Sequence, residues 1–157
     1  GLSALPDARL YAGELDLICA KRRPGERRGR PVWRERLAWI GTAGTVLDPS
    51  APLPLVAYPN RSITRALALE ALERAGRRWR MSCSSGSLSG LTAAVLAGLG
   101  VTAQSRLLLG GALVEIPGPE LDEVEFVVTG RGERLHGAAA ALADVILLNA
   151  THLQPAG

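Results

Sequence analysis

Short apolar runs separated by polar turns organise this chain, and their period changes along it. Leu15 to Ala20 is a compact apolar run and predicts a short buried strand that opens into a basic stretch. Trp33 to Ile40 sets Trp33, Leu37 and Trp39 against Arg34 and Arg36, the pattern of one strand with a single buried face. Gly41-Thr42-Ala43-Gly44 breaks it, and 47–52 is rich in turn residues. A strand–loop–helix rhythm follows. Leu53 to Tyr58 is a strand, Pro59-Asn60-Arg61-Ser62 a loop whose serine can cap a helix, and Ile63 to Ala75 that helix. Ile63, Leu67, Leu69 and Leu72 share its apolar face, and Gly76 stops it. The rhythm repeats with a strand over Trp79 to Cys83, a capping loop over Ser84 to Ser87, and a helix over Leu88 to Ala97. Leu88, Leu91 and Val95 mark the inner face of this second helix, and Gly98 ends it before a third short strand at Val101 to Ala103.

Strands alternating with helices imply a parallel α/β sheet built from right-handed crossovers. The remainder differs: strands over Ala112 to Ile116 and Val124 to Thr129 flank the turn Pro117-Gly118-Pro119. A long helix over Leu135 to Asn149 has Leu135, Ala138, Leu142, Val145, Ile146 and Asn149 on its buried side.

Composition narrows the class. With 157 residues, 47% hydrophobic and 21% charged, the chain has the make-up of a core-forming protein. It contains no apolar stretch long enough to span a bilayer, and Gly1 to Asp7 lacks the basic and hydrophobic parts of a secretory signal. Two cysteines, Cys19 and Cys83, fit a reducing cytoplasm better than a disulfide scaffold. The net charge of +3 is unevenly spread: residues 1–80 carry 15 basic against 8 acidic side chains, residues 81–157 carry 3 against 7. The basic run from Lys21 to Arg30 has no interleaved aromatics, so it reads as a solvated loop between strands rather than a nucleic-acid arm.

Reaction chemistry finds little footing. Gly86-Ser87-Leu88-Ser89-Gly90 puts leucine where a nucleophile elbow needs serine, and His136 and His152 complete no triad. Two cysteines 64 residues apart and two histidines give no metal-ligand spacing. The expectation is therefore a non-enzymatic protein without metal or cofactor. A binding role has more support. Two polar loops at the carboxyl ends of neighbouring parallel strands, each leading into a helix, lie where open α/β sheets take small ligands, and helix N-termini favour anions. The same loops fit simple capping, and the pattern leaves both readings open. Arg61 and Arg65 border the first loop, suited either to clamp a carboxylate or to pair with acids further along the helix.

An ordered set of segments then carries a resemblance. Gly13-Glu14-Leu15-Asp16-Leu17, the Trp33 to Gly41 stretch, Leu53 to Pro59, Ala71 to Trp79, and above all Ser85-Gly86-Ser87-Leu88 running on to Ala97-Gly98-Leu99-Gly100-Val101 resemble the effector-binding domain of LysR-type transcriptional regulators. The resemblance covers nearly the whole chain. It implies a type 2 periplasmic-binding-protein-like α/β fold: two lobes, each a central sheet flanked by helices, joined by two crossover strands with effector in the cleft. On this reading 43–102 is lobe II, 1–42 and 103–157 are the remaining part of lobe I, and Leu37–Thr42 and Val101–Arg106 are the crossings. The family's winged helix-turn-helix and the first portion of lobe I are expected to lie outside this sequence.

Matched position by position, the resemblance implies effector contacts at Thr42, at Pro59, Asn60 and Ser62, at Ser84 and Ser85, and at Gln104. The implied function is a cytoplasmic, ligand-sensing bacterial regulator that binds a small, anionic effector such as a carboxylate. It would reach DNA only through the helix-turn-helix, act as a homodimer or homotetramer in its full-length form, and have no membrane role. A periplasmic-type solute-binding protein of the same fold is the alternative.

Overall fold

The computed structural model describes residues 17–27 and 29–130, together with Ala141, Asp144 and Val145. Eight strands and two helices are described in full. β1 is Leu17–Arg22, β2 Arg30–Arg36, β3 Ala38–Thr42, β4 Leu53–Ala57, β5 Trp79–Ser84, β6 Thr102–Gln104, β7 Leu113–Glu115 and β8 Glu123–Gly130. Helix α1 is Ile63–Arg74 and α2 is Leu88–Leu96, and a 3-10 turn covers Arg106–Leu108. Most of the expected long C-terminal helix falls outside the described residues; Ala141, Asp144 and Val145 are helical, and Val145, expected on its buried side, is exposed.

The chain divides into two compact units. One is 36–122; the other is formed by the segments on either side of it. In the smaller unit the sheet order is β1-β8-β2, with β1 and β8 antiparallel from Leu17 opposite Gly130 to Arg22 opposite Glu125. β1 runs two residues further into the basic run than its apolar pattern indicated. Arg22 is accommodated there by a 2.9 Å ion pair with Glu125, both side chains nearly buried, and Lys21 lies 5.4 Å from the Phe126 ring centre.

The larger unit holds the rest. The single strand expected over Trp33 to Ile40 is two strands, because the ladder breaks at Leu37, whose amide turns to the Asp122 carbonyl. β3 is paired antiparallel on both edges, by β6 and by β7. β4 and β5 are parallel, and Leu55 bridges Val101 in parallel on the other side. Both pairing senses therefore occur: β4 runs parallel to β5, while β1 with β8 and β3 with β6 and β7 are antiparallel. This unit takes in the lobe expected over 43–102 and also 36–42 and 103–122, which were expected with lobe I.

Both helices are capped at both ends by local chemistry. Ser62 and Ser87 adopt extended N-cap geometry and accept the amides of Arg65 and Gly90. At the far ends Gly76 and Gly98 take positive φ, and paired amides return to Glu73 and Leu72 in α1, and to Val95 and Ala94 in α2. The inner face of α2, Leu91, Ala94 and Val95, packs with Ala38, Ile40, Val56 and Leu113. Leu88, expected on that face, stands exposed at the first turn of α2.

Candidate functional site

The parallel pairing decides which loops meet. Ala57 stands opposite Ser84, and the Ser85 amide donates to the Ala57 carbonyl at 3.2 Å. The polar turns after β4 and β5 therefore begin side by side at one end of the sheet. Gln104 reaches the same end, since it lies three residues beyond Val101, the parallel partner of Leu55.

At this end α1 presents its first turn. Ser62 Oγ and Thr64 Oγ1 are 3.0 Å apart, and Gln104 Nε2 donates to Thr64 Oγ1 at 3.4 Å. All three side chains are buried, with Gln104 only 2% exposed. Burying polar groups this deeply requires partners, and the three supply them to one another while the helix dipole adds positive potential. Pro59 and Asn60 are exposed on the loop above, and Asn60 has no hydrogen-bond partner among the described residues. Arg61 follows with φ of 75°, a left-handed conformation unusual for a side chain of its size. Arg65 is committed elsewhere: its Nη1 donates to the Tyr58 carbonyl at 3.1 Å, so it braces the loop. Tyr58 is half-buried against the α2 core, and burial holds its phenol above the ordinary tyrosine value.

Ser85 fits into the notch left by Gly90, where a β-carbon would collide with its hydroxyl, and its Oγ meets the Ser87 amide at 3.3 Å. Ser84 is exposed at the end of β5. Thr42 stands apart from the others. It pairs with Leu113, four residues along β3 from the Ala38 that faces Gln104, a separation of about 13 Å along a strand. Its hydroxyl is shared with Thr45 at 3.1 Å. Thr64 is the residue that sequence reasoning missed. Its signal was a second hydroxyl two residues after a capping serine, which only the register of Gln104 makes meaningful. Cys83 lies on the sheet near Tyr58, against the α2 core. His136 and His152 fall outside the described residues.

The family model described as the LysR substrate binding domain matches residues 2–150. The chain belongs to the LysR substrate-binding domain family. Its similarity to curated proteins points the same way. It is 33% identical over 121 residues to the HTH-type transcriptional regulator DgdR of Burkholderia cepacia, covering 73% of this chain and 40% of that protein. The chain thus spans less than half of that relative. Among solved structures, it resembles the apo-form regulatory domain of HypT from Salmonella typhimurium with a TM-score of 0.69 at 16% identity, over 94% of this chain and 79% of that one. It also resembles the Synechocystis CcmR regulatory domain in complex with 2-PG, with a TM-score of 0.59 at 19% identity, over 92% and 77%. As a LysR substrate-binding domain the chain has the type 2 periplasmic-binding-protein-like fold, and the comparisons lend no support to the solute-binding alternative. No described helix is long and apolar enough to cross a membrane.

Proposed function

We propose that this LysR substrate-binding domain is the ligand-sensing part of a cytoplasmic bacterial transcription factor that acts as a homo-oligomer and contacts DNA through a separate helix-turn-helix. Its ligand is a small anion, a carboxylate by preference, held at the first turn of α1. The observation that carries this reading is the buried Ser62–Thr64–Gln104 cluster at a helix N-terminus, beside the unpartnered Asn60. The first-turn amides of α1 offer hydrogen bonds to an anionic group, and the exposed Asn60 amide adds a contact that selects shape. Ser85 flanks the same end; Pro59 and Ser84 border it. Thr42, which the resemblance also implies, would take part only through a ligand reaching about 13 Å along β3.

Ligand binding would bias the regulator between states only by its difference in affinity for them. The test is calorimetric titration of the chain with a panel of small carboxylates. A binder is expected, and Asn60→Ala, on an exposed loop, is expected to weaken it about tenfold, equivalent to about 1.4 kcal/mol. Unchanged affinity in both Asn60→Ala and Thr64→Val would remove the site from this position.

A further inference from the structure

The geometry points to Arg74 and Arg106 as positioning residues that tie the ligand-site ends of α1 and β6 to the two places where the chain passes between its units. The larger unit begins at Arg36 and ends at Asp122, and the Leu37 amide donates to the Asp122 carbonyl at 3.4 Å. The two passages are thus adjacent. Each is gripped by an arginine: Arg74 at the end of α1, and Arg106 at the start of the 3-10 turn that follows β6.

Helix α1 supplies the first connection. Its N-terminal turn carries Ser62 and Thr64; its last residue is Arg74, about 18 Å away for twelve residues. Arg74 Nη1 pairs with Asp122 Oδ2 at 3.0 Å, and Nη2 donates to the Glu120 carbonyl at 3.2 Å. The 3-10 turn after β6 supplies the second. Gln104, bonded to Thr64, is two residues from Arg106, whose Nη1 donates to the Arg36 carbonyl at 2.6 Å while Nη2 pairs with Glu115 at 2.8 Å. Between these grips the strap 116–122 is laid onto β3. Trp39 Nε1 donates to the Pro119 carbonyl at 2.7 Å, the Ile116 amide donates to the Trp39 carbonyl, and Arg36 holds both the Leu121 carbonyl and the Glu120 carboxylate.

A helix moves as a unit over this length, so a shift of the α1 first turn is carried to Arg74 and from there to Asp122. A ligand drawing Thr64 and Gln104 together would pull on both arginines at once. The assignment rests on the ligand-site reading for its purpose. Its wiring, however, is a coupling free energy between named side chains and is measurable without a ligand.

The experiment is a double-mutant cycle on the chain, read by hydrogen exchange at the Leu37 amide, with the Val56 amide, bonded to Val101 within the sheet, as the internal reference. Thr64→Val stands in for a perturbation at the site. Thr64→Val and Arg74→Ala should each change exchange at Leu37 relative to Val56 by about threefold, the scale of an exposed ion pair. In the double variant the Thr64→Val effect should vanish. Asp122→Asn, which removes the charge with little change of volume, should reproduce the loss, and 1 M salt should shrink the coupling because both partners of the pair are about half exposed. Effects that simply multiply, or a Leu37 amide indifferent to Thr64→Val, would overturn the assignment. Additive effects in a chain that still binds a carboxylate through Asn60 would sink the wiring alone. Coupled effects in a chain whose ligand response ignores Asn60 and Thr64 would sink the site and leave the wiring standing.

Discussion

Gly118 lies against the indole of Trp39 so closely that a β-carbon there would stand 2.5 Å from Cδ1, and the ring is held at the neighbouring Nε1 by the Pro119 carbonyl. Gly118→Ala is expected to cost about 1–3 kcal/mol through displaced packing, read as a lower urea midpoint. Gly86→Ala, with open space around it, is the matched control and should shift the midpoint little. Lys21 gives a second prediction. Burial holds its amine below the ordinary lysine value, partly opposed by the Glu35 carboxylate. Between that lowered value and about 10.4 for the unfolded chain, the unfolded state binds the extra proton, so stability rises with pH. Urea midpoints from pH 7 to 10 should climb relative to Lys21→Met, and a constant difference between the two proteins would contradict this. At this scale the sequence was informative where the chemistry is local. Ser62 and Ser87 are legible as caps because a hydroxyl before an apolar periodic run has few other uses. The pairing of Thr64 with Gln104 and the remoteness of Thr42 depend on strand register, which no short window encodes.

Element by element, the strand–helix–strand rhythm from Leu53 to Val101 was readable because its turns, caps and glycine stops agree with its apolar spacing. The single strand expected over Trp33 to Ile40 was less so. The break at Leu37 leaves no turn signature, since the residue stays buried and merely exchanges a ladder partner for the Asp122 carbonyl. Leu88 misled for a related reason: helical spacing places it with Leu91 and Val95, but at the first turn of α2 it is left exposed. The helices are held by few apolar residues, so single truncations should be felt. Leu91→Ala, at a fully buried position of α2, is expected to cost about 2–5 kcal/mol in chemical denaturation, and Ser87→Ala about 1 kcal/mol through the lost cap. Arg77 and Arg78 show how the turn-rich 48–52 segment is fastened. Their guanidinium groups donate to the carbonyls of Asp48, Ser50 and Ala51. An arginine pair after a helix gives no sequence hint of that task.

For the molecule as a whole, part of the arginine surplus of the first eighty residues is structural: Arg22, Arg34, Arg36 and Arg74 all hold carboxylates. Fold class was legible because alternation of strands and helices and the ordered family segments agree. The mixed pairing was not, because β3 finds its neighbours far along the chain. That pairing has a consequence for how the protein is made. Thr42 faces Leu113, so a nascent chain must grow by some seventy further residues before β3 acquires both edges, about 4–14 s of synthesis at ordinary elongation rates. Ribosome-arrested chains in which Gly110 is the last residue clear of the exit tunnel should be cut rapidly by protease within β3, and chains in which Asp122 has cleared the tunnel should resist. The larger unit therefore emerges from the ribosome with its central strand waiting for partners some seventy residues behind it.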